Sequence, residues 1–178
     1  MTRVHLTGFP KHGNHALAKA VQLLGVPCQV IHIPWSEEMA YRDAPRLMIV
    51  RDLRDALVSW LRMKQLPVTP GMVMARLRQW ADDESGTMVE QLAKYEGWLD
   101  DPTTLKVSYE RLIASDAEMW RISAWLGVRH DNDAWDALPG GTRTWNKDHS
   151  DHRPVWTPEV EHVWQEIGGP AALERWRV

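Results

Sequence analysis

Apolar and polar residues follow two different periods along the chain, and the changes between them predict alternating strands and helices. Short segments that alternate, or that are apolar and β-branched throughout, predict strands over residues 3–7, 29–33, 46–50 and 104–108. The segment RLMIV at 46–50 is apolar after its first residue, which is typical of a parallel strand buried on both faces.

Helical periodicity fills the intervening segments. Apolar residues recur at helical spacing from Leu17 to Leu24, Asn14 stands in the position of an N-cap, and Gly25 follows. Further helices are predicted over residues 55–64, 71–99 with a break near 85–86, 115–126 and 157–167. Ser115 and Glu118 have the spacing of a capping box, and the paired glycines at 168–169 predict the end of the last helix.

This alternation predicts an α/β fold: a three-layer sandwich with a central, mostly parallel sheet, formed by one domain over residues 1–178. In such sheets ligands bind at the carboxyl ends of the strands. Polar residues follow the predicted strands at these ends: residues 8–15, His32, residues 51–54 and Tyr109. The sequence therefore predicts one site at this edge.

Composition narrows the class of protein. Of 178 residues, 44% are hydrophobic and 25% are charged, and the net charge of −3 gives no positive field that would favour a nucleic acid. The single cysteine, Cys28, forms no intrachain disulfide and indicates a reducing compartment. No apolar run spans a bilayer, and His5 and Lys11 interrupt the segment where a signal peptide would be apolar. We expect a cytoplasmic protein without a membrane partner.

The loop GFPKHGN after the first strand is a candidate binding site for an anion. It lacks both G-x-x-x-x-G-K-[ST] and G-x-G-x-x-G, so it has no support as a common magnesium-nucleotide or dinucleotide site. Lys11 beside the backbone N–H groups of a helix start is sufficient for a phosphate or sulfate. Taken alone, the loop is equally well a tight turn with a solvated lysine.

Four segments together resemble the cytosolic sulfotransferase family, in the family's order. They are GFPKHGN near the start, IVRDLRDALVSW at 49–60, KVSYERL at 106–112 and SDHRPVWTPE at 150–159. The loop is similar to the family's YPKSGTTW, and Arg51 and Ser59 have the spacing of the family's R-N-P-x-D-x-x-x-S. The other two segments resemble Y-E-D and G-D-W-[KR]-N-x-F-T-P-E.

The resemblance implies a P-loop-like strand-loop-helix that binds the donor 3′-phosphoadenosine-5′-phosphosulfate (PAPS), without a metal. Lys11 would stabilise charge on the leaving phosphate, N–H groups of residues 12–15 would hold its oxygens, and Arg51 and Ser59 would bind the 3′-phosphate. The resemblance implies these donor-binding residues: Pro10, Lys11, His12, Gly13, Asn14, His15, Arg51, Ser59, Tyr109, Lys147 and Arg153.

His32 is the candidate general base, because His32-Ile33-Pro34 resembles the family's H-x-P segment and neutral imidazole accepts a proton near working pH. The competing interpretation is a hydrogen-bonded histidine in a buried strand. His5 is expected to be structural. Four further histidines are expected on the surface or in loops: His130, His149, His152 and His162. No histidine pair has metal-ligand spacing such as H-E-x-x-H.

The chain departs from the family's pattern at several positions. His12 replaces a serine, Ala16 replaces the tryptophan that stacks on adenine, and Trp145-Asn146-Lys147 stands where the family has R-K-G. Three hypotheses follow: an active sulfotransferase, a catalytically degenerate nucleotide-binding relative, and a P-loop-type kinase. For the first, the acceptor is a hydroxyl or amine of a small molecule or glycan, and a homodimer is a possible assembly.

Overall fold

A computed structural model describes residues 3–35, 44–81, 85–130, 136–137 and 151–178. Its sheet contains β1 (Val4–Thr7), β2 (Cys28–Val30), β3 (Arg46–Val50) and β4 (Thr104–Ser108) in the order β2-β1-β3-β4. All three pairings are parallel, and β3 pairs with β4 along its whole length from Arg46–Thr104 to Val50–Ser108. This confirms the predicted α/β fold class.

Helices cover both faces of the sheet. In chain order they are α1 (Asn14–Leu23), α2 (Leu53–Met63), α3 (Pro70–Arg78), α4 (Met88–Ala93), α5 (Glu96–Asp100), α6 (Tyr109–Ala114), α7 (Ala117–Leu126), α8 (Pro158–Glu166) and α9 (Gly169–Arg175). A 3₁₀ turn occupies Arg153–Val155. Among the described residues, no helix has both the length and the apolar character needed to cross a membrane.

Strand β3 divides the interior into two cores because its successive side chains point to opposite faces. Leu47 and Ile49 pack with β1, α1, α6 and α7 in one cluster. Met48 and Val50 pack in the other with Phe9 and with residues of α2–α5, α8 and α9. All five residues of β3 are buried, as the apolar run predicts. The sheet is therefore held rigidly from both sides, and its strand ends are fixed relative to one another.

The structure differs from the sequence prediction at the end of β2 and after residue 167. Strand β2 ends at Val30 rather than at residue 33: Ile31 N still donates to Leu6 O of β1 at 2.7 Å, but Trp35 N donates to Lys94 O at 2.8 Å. The helix predicted over residues 157–167 does end before the paired glycines, as α8, but it is not the last one, since α9 begins at Gly169. A Cβ on Gly169 would lie 2.0 Å from the Trp164 ring, so this glycine serves close packing of α9 on α8.

The predicted capping box at residues 115–118 does not form. The N-cap of α7 is Asp116, whose side chain makes no capping hydrogen bond. Glu118 is buried and instead forms ion pairs with Arg111 at 2.7 Å and Arg121 at 2.9 Å. A charged carboxylate in the core needs partners of this kind, and the two arginines provide them from α6 and from α7 itself.

Candidate functional site

The loop between β1 and α1 is built around the close approach of Gly13 to Tyr109. Gly13 is the N-cap of α1 and has a φ of 106°, a region that L side chains rarely adopt. A Cβ at this position would lie 2.4 Å from Cδ2 of the Tyr109 ring. No side chain caps α1, and the N–H groups of its first turn have no intrahelical acceptor. The positive end of the helix is thus left available to an anion.

Lys11 lies at the turn of this loop with a φ of 67°, in the left-handed region. That conformation costs a residue with a side chain about 1–2 kcal/mol, and the loop is held in it from outside. Arg51 donates from Nη1 to the Lys11 carbonyl at 3.3 Å. Burial and the neighbouring Arg51 charge both lower the pKa of Lys11. A negatively charged ligand between these two cations would relieve that repulsion.

Arg51 directly follows the carboxyl end of β3 and is only 7% exposed. Its guanidinium lies over the Tyr109 ring, 4.4 Å from the ring centroid, in a cation–π contact. Arg51 therefore touches the loop through Lys11 and the start of α6 through Tyr109. A buried arginine held at this point keeps a permanent positive charge at the ends of three strands.

These groups surround a cavity of about 200 Å³. It is lined by Pro10, Lys11, Gly13, Asn14, His15, Ala16, His32, Arg51, Ser59, Met63 and Tyr109. The structure thus brings together most of the residues that the sequence singled out from four separate segments. Among the described residues, no carboxylate lines the cavity. The two cations in this lining, Lys11 and Arg51, favour an oxyanion as ligand.

His32 faces the cavity on a segment that two tryptophans hold in place. Trp98 donates from Nε1 to the Ile33 carbonyl at 3.2 Å, and the Trp35 ring packs edge-on against Trp98 with centroids 4.8 Å apart. Burial lowers the pKa of His32, and nearby His15 lowers it further, against a raising hydrogen bond to the Gly8 carbonyl. The imidazole is consequently neutral at pH 7, the form that accepts a proton.

His12 does not line the cavity, unlike its neighbours in the loop. Its N–H donates to the Phe9 carbonyl at 3.1 Å and is not available to a ligand. The ring is fully buried and packs edge-on against Phe9 and Trp176. Burial, with a contribution from Arg51, lowers the pKa of His12 to about 3. We therefore correct the expectation for this residue: it supports the loop from behind as a neutral core histidine.

Arg153 also lies apart from the cavity lining. Its side chain is 82% exposed and pairs with Asp151 at 2.8 Å, an interaction that lowers the pKa of Asp151 to about 2. Lys147, the other predicted cation of this motif, lies outside the described residues, as does His149. Among the described residues of this motif, none lines the cavity.

Two of the histidines expected on the surface or in loops make specific contacts. His152 donates from its backbone N to Asp55 Oδ1 at 3.0 Å, and its Nδ1 lies 2.7 Å from the same oxygen. His130 is 4% exposed and packs edge-on against Trp120. His162, by contrast, has a side chain that is 72% exposed. The Asp55 contact joins the segment after residue 150 to α2, the helix that carries Ser59.

Met63 lines the cavity but was not among the predicted site residues. Its side chain is 48% exposed and lies at the cavity with Ser59. The signal was present, because Met63 follows Ser59 by four residues in α2 and therefore lies on the same helix face. Ala16 also lines the cavity, where the related motif has a tryptophan.

The fold has a close structural counterpart. Mouse sulfotransferase SULT7A1, whose crystal structure is a complex with PAP, matches with a TM-score of 0.71 over 97% of this chain and 88% of the mouse chain. Sequence identity between the two is 13%, so the likeness establishes a shared fold. No model of a known protein family matches the sequence, and a search of curated proteins finds no similar one.

The close approach at Gly13 predicts the effect of adding a methyl group there. Gly13→Ala and Gly25→Ala both place alanine at a positive φ, but nothing lies within 4 Å of a Cβ at Gly25. Both variants should lose about 1–2 kcal/mol for the backbone, and Gly13→Ala about 1–3 kcal/mol more through the clash with Tyr109. Urea denaturation measures the difference. Equal losses would show that the Tyr109 ring moves aside without cost.

Proposed function

We propose that this chain is a PAPS-dependent sulfotransferase that transfers a sulfuryl group to a hydroxyl or amine acceptor. The observation that carries the proposal is the arrangement of Lys11, Arg51, Ser59 and His32 around one cavity. These side chains come from three different segments, and the resemblance gives each a role in the same reaction. The shared fold with a sulfotransferase supports the proposal independently of those residues.

The donor fits the groups available at the loop. The first-turn N–H groups of α1 and the Lys11 ammonium form a cradle for a 5′-phosphosulfate, and the missing Cβ of Gly13 keeps the cradle open. Bound there, PAPS would supply the sulfuryl group. Lys11 would stabilise the negative charge that grows on the leaving phosphate, because a fixed cation is most effective where charge develops in the transition state.

Arg51 and Ser59 would distinguish this donor from nucleotides without a 3′-phosphate. The Arg51 guanidinium is preorganised by Tyr109 and the Lys11 carbonyl, and a second anion would receive charge-assisted hydrogen bonds from it. Ser59 would add a hydroxyl donor from α2, and Tyr109 would lie beside the nucleoside. We propose that Arg153 or Lys147 also contributes to binding this phosphate.

His32 would accept the proton of the acceptor group. Its lowered pKa keeps the imidazole neutral at pH 7, and its exposed ring faces the cavity. The described lining residues include no carboxylate that could act as the base instead. The acceptor would then be a small molecule or glycan that reaches the open side of the cavity. A cytoplasmic location and a homodimeric assembly stay expectations of the same proposal.

Two alternative functions would require different residues at the site. A P-loop-type kinase needs carboxylates for Mg²⁺ beside the nucleotide, and the described lining offers cations and neutral groups instead. A degenerate relative that binds the nucleotide without turnover would need no neutral histidine at the cavity. The presence of His32 therefore favours the active enzyme over the degenerate one.

The first experiment concerns the 3′-phosphate. 3′-Phosphoadenosine-5′-phosphate should bind and raise the melting temperature, and adenosine 5′-phosphate should bind more weakly because Arg51 and Ser59 have nothing to hold. Ser59→Ala should reduce this preference in calorimetry, whereas Ser115→Ala, an exposed serine after α6, should retain it. Equal affinity for both nucleotides in the unmodified protein would contradict the assigned 3′-phosphate site.

Lys11→Met tests stabilisation of the leaving group. Because the charge on the leaving phosphate is largest in the transition state, turnover should fall on the order of a hundredfold or more. Affinity for the product nucleotide should change much less. Lys94→Met, on the exposed end of α4, serves as the matched control. Turnover near normal with weakened nucleotide binding would reduce Lys11 to a residue that only positions the donor.

His32→Ala and His32→Asn test the general base. Both should abolish transfer and leave nucleotide binding nearly intact, because neither replacement accepts a proton at pH 7. In the unmodified protein the rate should fall as pH drops through the His32 pKa, which burial places below the usual value of about 6.5. His162→Asn is the control. A folded, nucleotide-binding His32→Ala protein with substantial transfer would remove His32 from the mechanism.

A further inference from the structure

Lys11 differs from the other lysines of the chain in its surroundings. The sequence has six lysines, of which five lie in the described part: Lys11, Lys19, Lys64, Lys94 and Lys106. Of these five, only Lys11 lines the cavity at the strand ends. Its backbone is held at a φ of 67° and its carbonyl is bound by Arg51, so the side chain starts from a fixed point.

The charge next to Lys11 makes its amine more nucleophilic than that of an ordinary lysine. Burial lowers the pKa of Lys11, and the neighbouring Arg51 guanidinium lowers it further. A lysine beside another cation holds a larger fraction of neutral amine near pH 7, and the neutral amine is the form that attacks an electrophile. No carboxylate among the described residues lines this cavity, so none is placed there to keep the proton on the amine.

The start of α1 provides a place for an anion in the same cavity. Asn14 was expected to cap the helix, but its side chain donates from Nδ2 to the Gly8 and Phe9 carbonyls, at 3.3 Å in each case. No side chain caps α1, so the N–H groups of its first turn are available to a ligand together with the Arg51 guanidinium. A molecule that carries a phosphate is therefore attracted to the cavity that Lys11 lines.

We propose that Lys11 is a site of covalent modification by acyl phosphates, whose phosphate binds in the cavity while the lysine amine attacks the acyl carbon. The lone pair of Nζ forms the new bond to this carbon, and the bond from the carbon to the phosphate oxygen breaks. Inorganic phosphate leaves with that electron pair and takes up the proton that the amine loses. The product is an amide at Lys11, and no oxidant or reductant is required.

This modification would remove one of the two cations of the cavity. An acylated lysine carries no charge, so it attracts an anion less strongly and the reaction limits its own reversal by competing phosphate. If the proposed sulfotransferase activity is correct, the same change would also remove the charge that stabilises the leaving phosphate. The inference itself goes beyond that activity, because acylation requires neither a sulfuryl donor nor an acceptor.

Lys106 is an internal control for nucleophilicity without anion binding. It is partly buried, and burial lowers its pKa as it does for Lys11. Its Nζ, however, donates to the Asp101 carbonyl at 2.6 Å, and the charges of Asp101 and Asp100 lie close enough to oppose that lowering. An anionic acyl phosphate is repelled by these carboxylates, whereas a neutral acyl ester is not.

The experiment compares the rates at which individual lysines of the full chain are acetylated by acetyl phosphate near neutral pH. Peptide mass spectrometry at early times gives one rate for each lysine. We expect Lys11 to react about tenfold faster or more than Lys106 and the exposed Lys64, because the bound phosphate holds the acyl carbon beside the amine. A rate at Lys11 no higher than that at Lys64 would overturn the proposal.

Two further measurements on the unmodified protein test whether the phosphate directs the reaction. With the neutral acetyl ester of N-hydroxysuccinimide, the preference for Lys11 over Lys106 should shrink. Inorganic sulfate should slow the reaction of acetyl phosphate at Lys11 and leave the rate at Lys64 unchanged. An equal preference with both reagents, or no protection by sulfate, would overturn the directing role of the cavity.

Arg51→Gln provides a test by substitution, and Arg76→Gln is its matched control. Both arginines lie over an aromatic ring, Arg51 over Tyr109 and Arg76 over Trp60, but Arg76 does not line the cavity. Arg51→Gln should lose the selectivity for Lys11, and Arg76→Gln should retain it. A folded Arg51→Gln protein with full selectivity would contradict the proposal.

The outcomes for acylation and for sulfuryl transfer are independent. A protein that is acetylated selectively at Lys11 but transfers no sulfuryl group to any acceptor would support this inference and refute the proposed activity. Sulfuryl transfer without selective acetylation would refute the inference alone.

Discussion

The site depends on one guanidinium, that of Arg51, placed where three parallel strands end. It contacts the Lys11 carbonyl in the loop after β1 and the Tyr109 ring at the start of α6, and it is itself the residue after β3. Parallel strands bring their carboxyl ends to one edge of the sheet, but backbone pairing alone does not fix the loops beyond them. Arg51 does so with contacts to both neighbouring segments.

Tryptophan contributes to the site from outside it. The chain has eleven tryptophans and one phenylalanine, and three of the tryptophans contact the loop or the segment that carries His32. Trp98 and Trp35 hold the segment that carries His32, and Trp176 closes the space behind His12. A large ring with one N–H donor fills volume and fixes a backbone carbonyl at the same time. The positions of His32 and of the loop are thus set by packing from α5 and from the end of α9, elements far from them in sequence.

Much of the fold and the lining of the cavity could be predicted from the sequence, for identifiable reasons. Strands β3 and β4 were predicted to the residue, because runs such as RLMIV have no alternative as helices of useful length. Lys11 and Arg51 were predicted at one site because strand ends converge, and Ser59 was added to it by the resemblance. The roles of His12 and Asn14 could not be predicted, since each depends on which way a side chain turns. Tertiary packing determines the direction of each side chain, and the spacing of residues in the sequence does not reveal it.

The strained conformation of Lys11 affects the stability of the whole protein. Lys11 is held at a φ of 67°, and burial together with the nearby Arg51 charge lowers its pKa. This corner is locally frustrated, because the left-handed backbone of Lys11 and the like charges of Lys11 and Arg51 both oppose the native arrangement. The two apolar cores must supply the surplus stability that keeps it assembled. The concentration of an anion that binds this corner would therefore determine the protein's resistance to proteolysis as well as the fraction of sites occupied. A low anion concentration would shorten the lifetime of the protein.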